Sequence, residues 1–156
     1  MRKRSQRPLL ETALARGAGA SLLSAAVLAI CSKLEGRGFA AGLNGPSQWL
    51  WGEHAAYSRK PSVKHTVIGY VIHHASATLW ATLHAKLAGS SQDKSRGRIL
   101  AEAAAVTAAA YLVDYKLTPR RLRPGFEKHL SPLSMTAVYA GFSLGLAAIT
   151  QWQRRR

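Results

Sequence analysis

Four apolar stretches, separated by polar and strongly basic segments, organise this sequence. A helix needs about 20 mainly apolar residues to cross the hydrocarbon core of a bilayer. The pattern therefore predicts an all-α fold in a single domain, residues 1–156: a four-helix transmembrane bundle with an interfacial loop or short helix between spans one and two. The apolar stretches cover residues 17–32, 66–83, 99–113 and 130–153, and we expect spans at about 13–33, 65–86, 98–115 and 131–152.

The first and third stretches are shorter than a full span. They reach the required length if Arg16, Lys33, Arg98 and Lys116 lie at the membrane surfaces with their charged ends in water. Long basic side chains can do this, because their aliphatic stems tolerate an apolar environment. We therefore expect these four charges at the two ends of the bundle.

The charge of the chain is strongly basic. With 22 Lys and Arg against 7 Asp and Glu, its net charge is +15. In a soluble helical protein this would indicate nucleic-acid binding, since Lys and Arg neutralise phosphates. Here the basic residues bracket the apolar stretches, where they would meet anionic lipid head groups. The distribution favours a membrane protein over the alternative of a soluble nucleic-acid-binding protein.

The N-terminal region also has the basic start and apolar run of a secretory signal. The basic part extends to Arg16, and the small residues Ala40 and Ala41 lie well past the apolar run, so we expect an uncleaved helix. Four spans place both termini on one side, and a slight excess of Lys and Arg there predicts that this side is the cytoplasm. Cys31 is the only cysteine, which excludes an internal disulfide.

The segment between the first two spans contains two tryptophans, Trp49 and Trp51, after an Asn-Gly-Pro turn. Tryptophan is enriched at the head-group level of membranes. We therefore interpret the segment as an interfacial anchor, with a ligand site as the less favoured reading. In that second reading Glu53 and His54 would be its polar pair.

Two histidines, His73 and His74, lie well inside the second apolar stretch. Ionisable groups at this depth usually face the interior of a bundle and are candidates for function. They either hold neighbouring helices together by hydrogen bonds or form a metal, haem or proton-handling site. Adjacent histidines point about 100° apart on a helix, so a metal would need ligands from another span.

The third span offers few such ligands. If spans two and three are antiparallel with level midpoints, His73 and His74 lie at the depth of Ala108 and Thr107. Glu102 would then be about 8 Å away in depth. We expect that the carboxylates do not converge on the histidines, and that His73 faces protein near residues 107–111 or a small-residue face. The sequence identifies no cofactor.

Other candidate residues lie at the edges of the last two spans. Arg120, Arg121 and Arg123 occupy a connection broken by Pro119 and by Pro-Gly at 124 and 125, and they could bind lipid phosphates. Trp152 marks the interface at the end of the fourth span.

Two glycines four residues apart, Gly141 and Gly145, lie in the fourth span. Small residues at this spacing let membrane helices approach closely. They predict a packing seam, either within the bundle or between copies in a homo-oligomer.

Catalytic signatures are missing from the sequence, which contains no nucleophile elbow, zinc-protease, Walker or dinucleotide motif. The leading hypothesis is a non-enzymatic multi-pass membrane protein whose basic connections contact anionic lipid or an envelope partner. The rival is an intramembrane metal, haem or proton site at His73 or His74.

Segments 44–56 and 64–80 together resemble a group of small, uncharacterised bacterial membrane proteins. These have a loop of the form SxWLWGExAA, then a helix of the form KHTxxGYxIHHAS, and later VDY and RLxPGFE motifs. The resemblance covers about residues 44–127, and Gln48 stands where histidine is common in the group, which argues against a metal site in that loop. It implies a multi-pass protein of the bacterial inner membrane and brings no activity with it.

Overall fold

The computed structural model describes residues 8–88 and 94–155. These residues are almost entirely helical and contain no strand, which confirms the all-α prediction. The basic segments at residues 2–4 and the final Arg156 lie outside the described residues. The four long helices are α1 (Leu9–Leu34), α4 (Ile68–Ala88), α5 (Arg96–Leu112) and α6 (Pro132–Arg155).

Two of these helices, α1 and α6, are long and apolar enough to cross a membrane. The other two do not meet that criterion, so four spans are not confirmed. In α4 three histidines lower the hydropathy, and α5 is only 17 residues long with charged residues in its first two turns.

The segment between α1 and α4 is folded into short helical pieces. They are α2 (Ala40–Asn44), α3 (Gln48–Trp51), 3₁₀ turns at Gly45–Ser47 and Glu53–Tyr57, and a π-helical turn at Val63–Val67. The segment between α5 and α6 contains a π-helical turn at Val113–Leu117 and 3₁₀ turns at Arg120–Leu122 and Phe126–Lys128. We call these two segments together the cap, because they contact each other at one end of the bundle.

Helix α1 is the centre of the bundle and packs along both α4 and α6, while α5 packs mainly against α6. Small residues allow this close packing. A Cβ atom on Gly17 would lie 2.7 Å from the Thr78 Cα of α4, and one on Gly145 would lie 2.4 Å from the Gly19 carbonyl oxygen of α1. Glycine is therefore required at both helix crossings.

The inward and outward faces of α1 differ in residue type. Small and polar residues such as Ala20, Ser21 and Ser24 are buried against the neighbouring helices. The exposed face instead carries large apolar residues: Leu9, Leu10, Leu14, Leu22, Leu23, Ile30 and Leu34. A helix on the surface of a water-soluble protein usually has the opposite arrangement.

Candidate functional site

Both predicted histidines on α4 face helix α1. His73 Nε2 lies 2.9 Å from Ser24 Oγ, and His74 Nδ1 lies 2.7 Å from Ser21 Oγ. The Ser24 hydroxyl also lies 2.7 Å from the Ala20 carbonyl, to which it donates. It therefore accepts the proton of His73 Nε2, which fixes that histidine in its Nε2–H form.

A mainly apolar cavity of about 50 Å³ adjoins His73. It extends between α1, α4, α5, α6 and the cap, and its walls include Trp80, Phe126 and Phe142. The ring of Phe126 stands edge-on to His73, with 5.7 Å between ring centroids. A cavity of this volume has room for a few water molecules.

One carboxylate, that of Asp114, lines the same cavity as His73. A shared cavity wall does not by itself bring the two side chains together, so the expectation that the carboxylates do not converge on the histidines stays a prediction. Both residues lie toward the cap end of the bundle: Asp114 is in the π-helical turn that continues α5 toward the cap, and His73 lies near the cap end of α4. Glu102 lies at the other end of α5, where it pairs with Lys94 and Arg98.

Asp114 is held by a tyrosine of α6. The Tyr139 hydroxyl donates to Asp114 Oδ2 at 2.6 Å. Tyr139 belongs to a group of three packed rings with Tyr111 and Tyr115, whose centroids are 5.2 to 6.3 Å apart. The ring contacts join the ends of α5 and α6 beside the cavity, which fixes the position of the carboxylate.

The cap closes this end of the bundle through buried polar side chains. Gln48, fully buried, donates its amide to the Arg123 carbonyl at 2.6 Å, and the indole of Trp49 donates to the same oxygen at 3.3 Å. Glycines permit the contact, since a Cβ atom on Gly45 would lie 2.7 Å from the Pro124 carbonyl. Gly125, opposite, has a φ of 79°, which favours glycine.

Asn44 is the centre of the cap's hydrogen bonds. Its amide donates to the carbonyls of Ser58 and Lys60, and its oxygen accepts from the Thr66 hydroxyl at 2.7 Å. At Gly69, a Cβ atom would lie only 2.1 Å from the Leu43 carbonyl. The segments that carry the resemblance, separate along the chain, therefore meet at this end of the bundle.

One histidine of the cap, His129, is buried and only 4 % exposed. Its Nε2–H donates to the Ala56 carbonyl at 2.6 Å. Burial lowers the pKa of His129, although the hydrogen bond to Ala56 acts in the opposite direction. His129 is therefore held as a neutral structural group.

A polar cluster at the opposite end of the bundle was not anticipated. Arg16 is only 2 % exposed; its Nε donates to Gln153 Oε1 at 2.9 Å and its Nη1 lies 3.1 Å from His84 Nδ1. The expectation that Arg16 turns its charge to water is wrong, because α4 and α6 supply hydrogen-bond acceptors that compensate for burial. Residues 16, 84 and 153 share no local motif, so only their contacts in the fold identify the cluster.

The glycine pair of α6 faces α1. Cβ atoms on Gly141 and Gly145 would contact Val27 and Gly19 respectively. This face is thus occupied within one chain, and the homo-oligomer through it stays a prediction.

The predicted interface residues are partly exposed. Trp49, Trp51 and Trp152 are each about two-fifths exposed. The Trp51 indole donates to the Lys64 carbonyl at 3.0 Å, and the Lys64 ammonium lies 5.1 Å from the centre of its ring. Arg120 and Arg121 are exposed at the surface of the cap, whereas Arg123 is partly buried.

A metal centre at the histidines has no direct support: residues 8–88 and 94–155 contain no group of three or more His, Cys, Asp or Glu placed to hold a metal ion. The chain matches no protein-family model, and no curated protein or solved structure is significantly similar to it. Proposals about its function therefore rest on its geometry.

Proposed function

We propose that this chain is a non-enzymatic, four-span protein of the bacterial inner membrane whose basic connections bind anionic lipid head groups. The observation that carries the proposal is the arrangement of α1, with small and polar residues inside and large apolar residues outside. In water such a face would favour aggregation or association, whereas in lipid it is the expected surface.

The outward apolar surface extends over the other long helices. Exposed large apolar residues are Val71, Leu79, Leu83 and Leu87 on α4, Leu100 and Leu112 on α5, and Leu133 and Leu144 on α6. Of the most apolar parts of α1 and α6, only 39 % and 44 % respectively are buried. The exposed remainder of these segments supports an apolar environment outside the chain.

Exposed cations lie at both ends of this apolar surface. The cap exposes Arg59, Lys60, Lys64, Arg120 and Arg121, and the opposite end exposes Lys86, Arg96, Arg98 and Arg155. Each basic residue near an anionic leaflet contributes about 1 kcal/mol of attraction. This distribution fits a bundle whose two ends each contact lipid head groups.

Carbonate washing of native membranes tests the proposal. We expect the full-length protein to stay in the membrane pellet and to be released by detergent. Recovery of folded, non-aggregated protein in the carbonate supernatant would contradict it.

The dependence on anionic lipid has its own test. Thermal unfolding of the purified protein should occur at a higher temperature in phosphatidylglycerol nanodiscs than in phosphatidylcholine nanodiscs. The double variant Arg120→Gln, Arg121→Gln should lose part of that difference in unfolding temperature. If the difference is unchanged, these two arginines do not contribute to the binding of anionic lipid.

The cavity shared by His73 and Asp114 supports a second candidate, a proton-handling site. A histidine and a carboxylate on one small cavity can exchange a proton through water. Reconstituted vesicles with an internal pH dye test it. Proton flux lost in both His73→Gln and Asp114→Asn would support it, and flux equal to that of protein-free vesicles would exclude it.

A further inference from the structure

We propose that the groove between α5 and α6 binds one acyl chain of an anionic glycerophospholipid, with Lys116 and Arg123 holding its phosphate. This site rests on the membrane location proposed above and adds to it a defined lipid position. It lies apart from the exposed arginines Arg120 and Arg121, which would meet head groups without selecting one molecule.

The shape of the groove fits an acyl chain. It has a volume of about 1150 Å³, and its long wall runs from Ala104 to Lys116. The twelve steps from residue 104 to residue 116 would rise about 18 Å in a regular α-helix and somewhat less here, because the last turn is π-helical; this is close to the length of an extended acyl chain. Ala108 on α5 and Ala140 on α6 are exposed in this groove, so no large side chain of the protein fills it at those positions.

The charged end of the groove lies at the cap. Lys116 and Arg123 both line it there, as does one carboxylate, Glu127. Two positive charges and one negative charge leave a net charge of about +1, which complements the single negative charge of a phosphodiester. Phosphatidylethanolamine is zwitterionic and has no net charge to complement this one, so the groove favours phosphatidylglycerol.

The position of Arg123 is fixed before any ligand binds. Its Nε donates to the Thr118 carbonyl at 3.2 Å, and its own carbonyl accepts from Gln48 and Trp49. The guanidinium is thereby held at the mouth of the groove at little additional cost in side-chain entropy.

A second copy of the chain is a poorer occupant than a lipid. Docking of the same face of another copy would bring two basic caps together, and like charges at an interface oppose association. A lipid supplies the opposite charge and the apolar chain in one molecule.

Native mass spectrometry of the detergent-purified full-length protein, titrated with dioleoylphosphatidylglycerol, tests this site. We expect the first lipid to bind about tenfold more tightly than later ones, which corresponds to about 1.4 kcal/mol. Phosphatidylethanolamine should show no such first site. Ala140→Phe, which fills the groove, and Lys116→Gln should each remove most of the tenfold preference.

Matched controls are Ala109→Phe, at an exposed position of α5 outside the groove, and Lys60→Gln, in the other half of the cap. Both should retain the first site. The proposal is wrong if the test and control variants lose the preference for the first lipid equally, or if phosphatidylethanolamine binds to a first site as tightly as phosphatidylglycerol does. A dimer that Ala140→Phe abolishes would also overturn it. If Ala140→Phe unfolds at the same temperature as the wild type, its loss of lipid binding is not caused by misfolding. If the protein resists carbonate extraction while these tests fail, the groove is wrong and the membrane location stands.

Discussion

The two faces of α1 differ in the size and polarity of their side chains and therefore suit different environments. The buried face of the helix consists mainly of glycine, alanine and serine, together with Arg16 and one leucine, Leu28. Toward the outside it presents leucines that are between 41 % and 80 % exposed. The inner face shows that close backbone contact and side-chain hydrogen bonds hold the bundle together. The exposed leucines of the outer face contribute little to packing within the chain.

Substitution of Leu22, which lies on the outer face at the middle of α1, should have the largest effect. In a membrane, Leu22→Arg costs about 2.5–3.5 kcal/mol of insertion free energy. At an exposed site in water the same change would usually alter stability by no more than about 0.5 kcal/mol. We expect loss of most membrane-integrated protein, measured by carbonate-resistant yield. Leu34→Arg, at the end of α1, is the control and should insert normally; equal yields for both variants would contradict the lipid-facing assignment of Leu22.

On the inner face, Gly145→Ala should destabilise the bundle by about 1–3 kcal/mol, because overpacking forces the backbones apart. The added Cβ would lie 2.4 Å from the Gly19 carbonyl, and SDS-titration unfolding measures the loss. Gly97→Ala is the matched control, since its nearest neighbour, Ser95 Oγ, is 4.0 Å away. A Gly145→Ala variant as stable as Gly97→Ala would show that α1 and α6 are not in close contact.

The hydrogen bond between His73 and Ser24 tests the inner face of α1 in a second way. His73→Leu removes the hydrogen bond to Ser24 and should cost about 1 kcal/mol, the value typical of such bonds between membrane helices. Val71→Leu, at an exposed position of the same helix, should change the free energy of unfolding very little. The double variant with Ser24→Ala should lose less than the sum of the two single changes, and strict additivity would mean that His73 and Ser24 do not interact.

The smallest effect is expected at Glu35, which joins the cap ends of α1 and α6. Hydrogen bonds from Ser134 and Ser131 lower the pKa of this carboxyl group below its usual value. A lowered pKa in the folded state adds stability above the pKa of the unfolded chain, and that stability disappears as pH falls through the folded value.

Glu35→Gln should therefore lower the unfolding temperature slightly at pH 7, and this difference from the wild type should shrink as pH falls and the wild-type carboxyl becomes protonated. Glu53→Gln, which removes the same charge at an exposed position, is the matched control. If Glu35→Gln still unfolds at a lower temperature than the wild type by the same amount at low pH, the serines do not stabilise the fold through the negative charge of Glu35.

The sequence predicts the positions of the long helices well, because apolar length and flanking charge are local properties. Predicted span 131–152 begins one residue before α6 and otherwise lies within it, and 13–33 lies within α1. The fold of the cap was not predicted: the contact of Gln48 with the Arg123 carbonyl joins residues 75 positions apart. The sequence contains glycine at positions 45, 69 and 125, and only the fold shows what each one contacts.

The candidate site was predicted in part. The histidines could be recognised from their depth in an apolar stretch, a property of the sequence itself. The place of Asp114 in the same cavity depends on a π-helical turn and on the offset between α4 and α5, which are properties of packing. Burial of Arg16 likewise depends on His84 and Gln153 from two other helices.

The most direct test of the central claim is the environment of the outer face of α1. A nitroxide label at Leu22→Cys, in a Cys31→Ser background, can be compared with one at Lys33→Cys near the helix end. In reconstituted vesicles we expect the label at position 22 to collide with oxygen and to be inaccessible to a water-soluble nickel complex, and the label at position 33 to show the reverse. Free access of the nickel complex to position 22 would show that this face lies in water and would contradict the account.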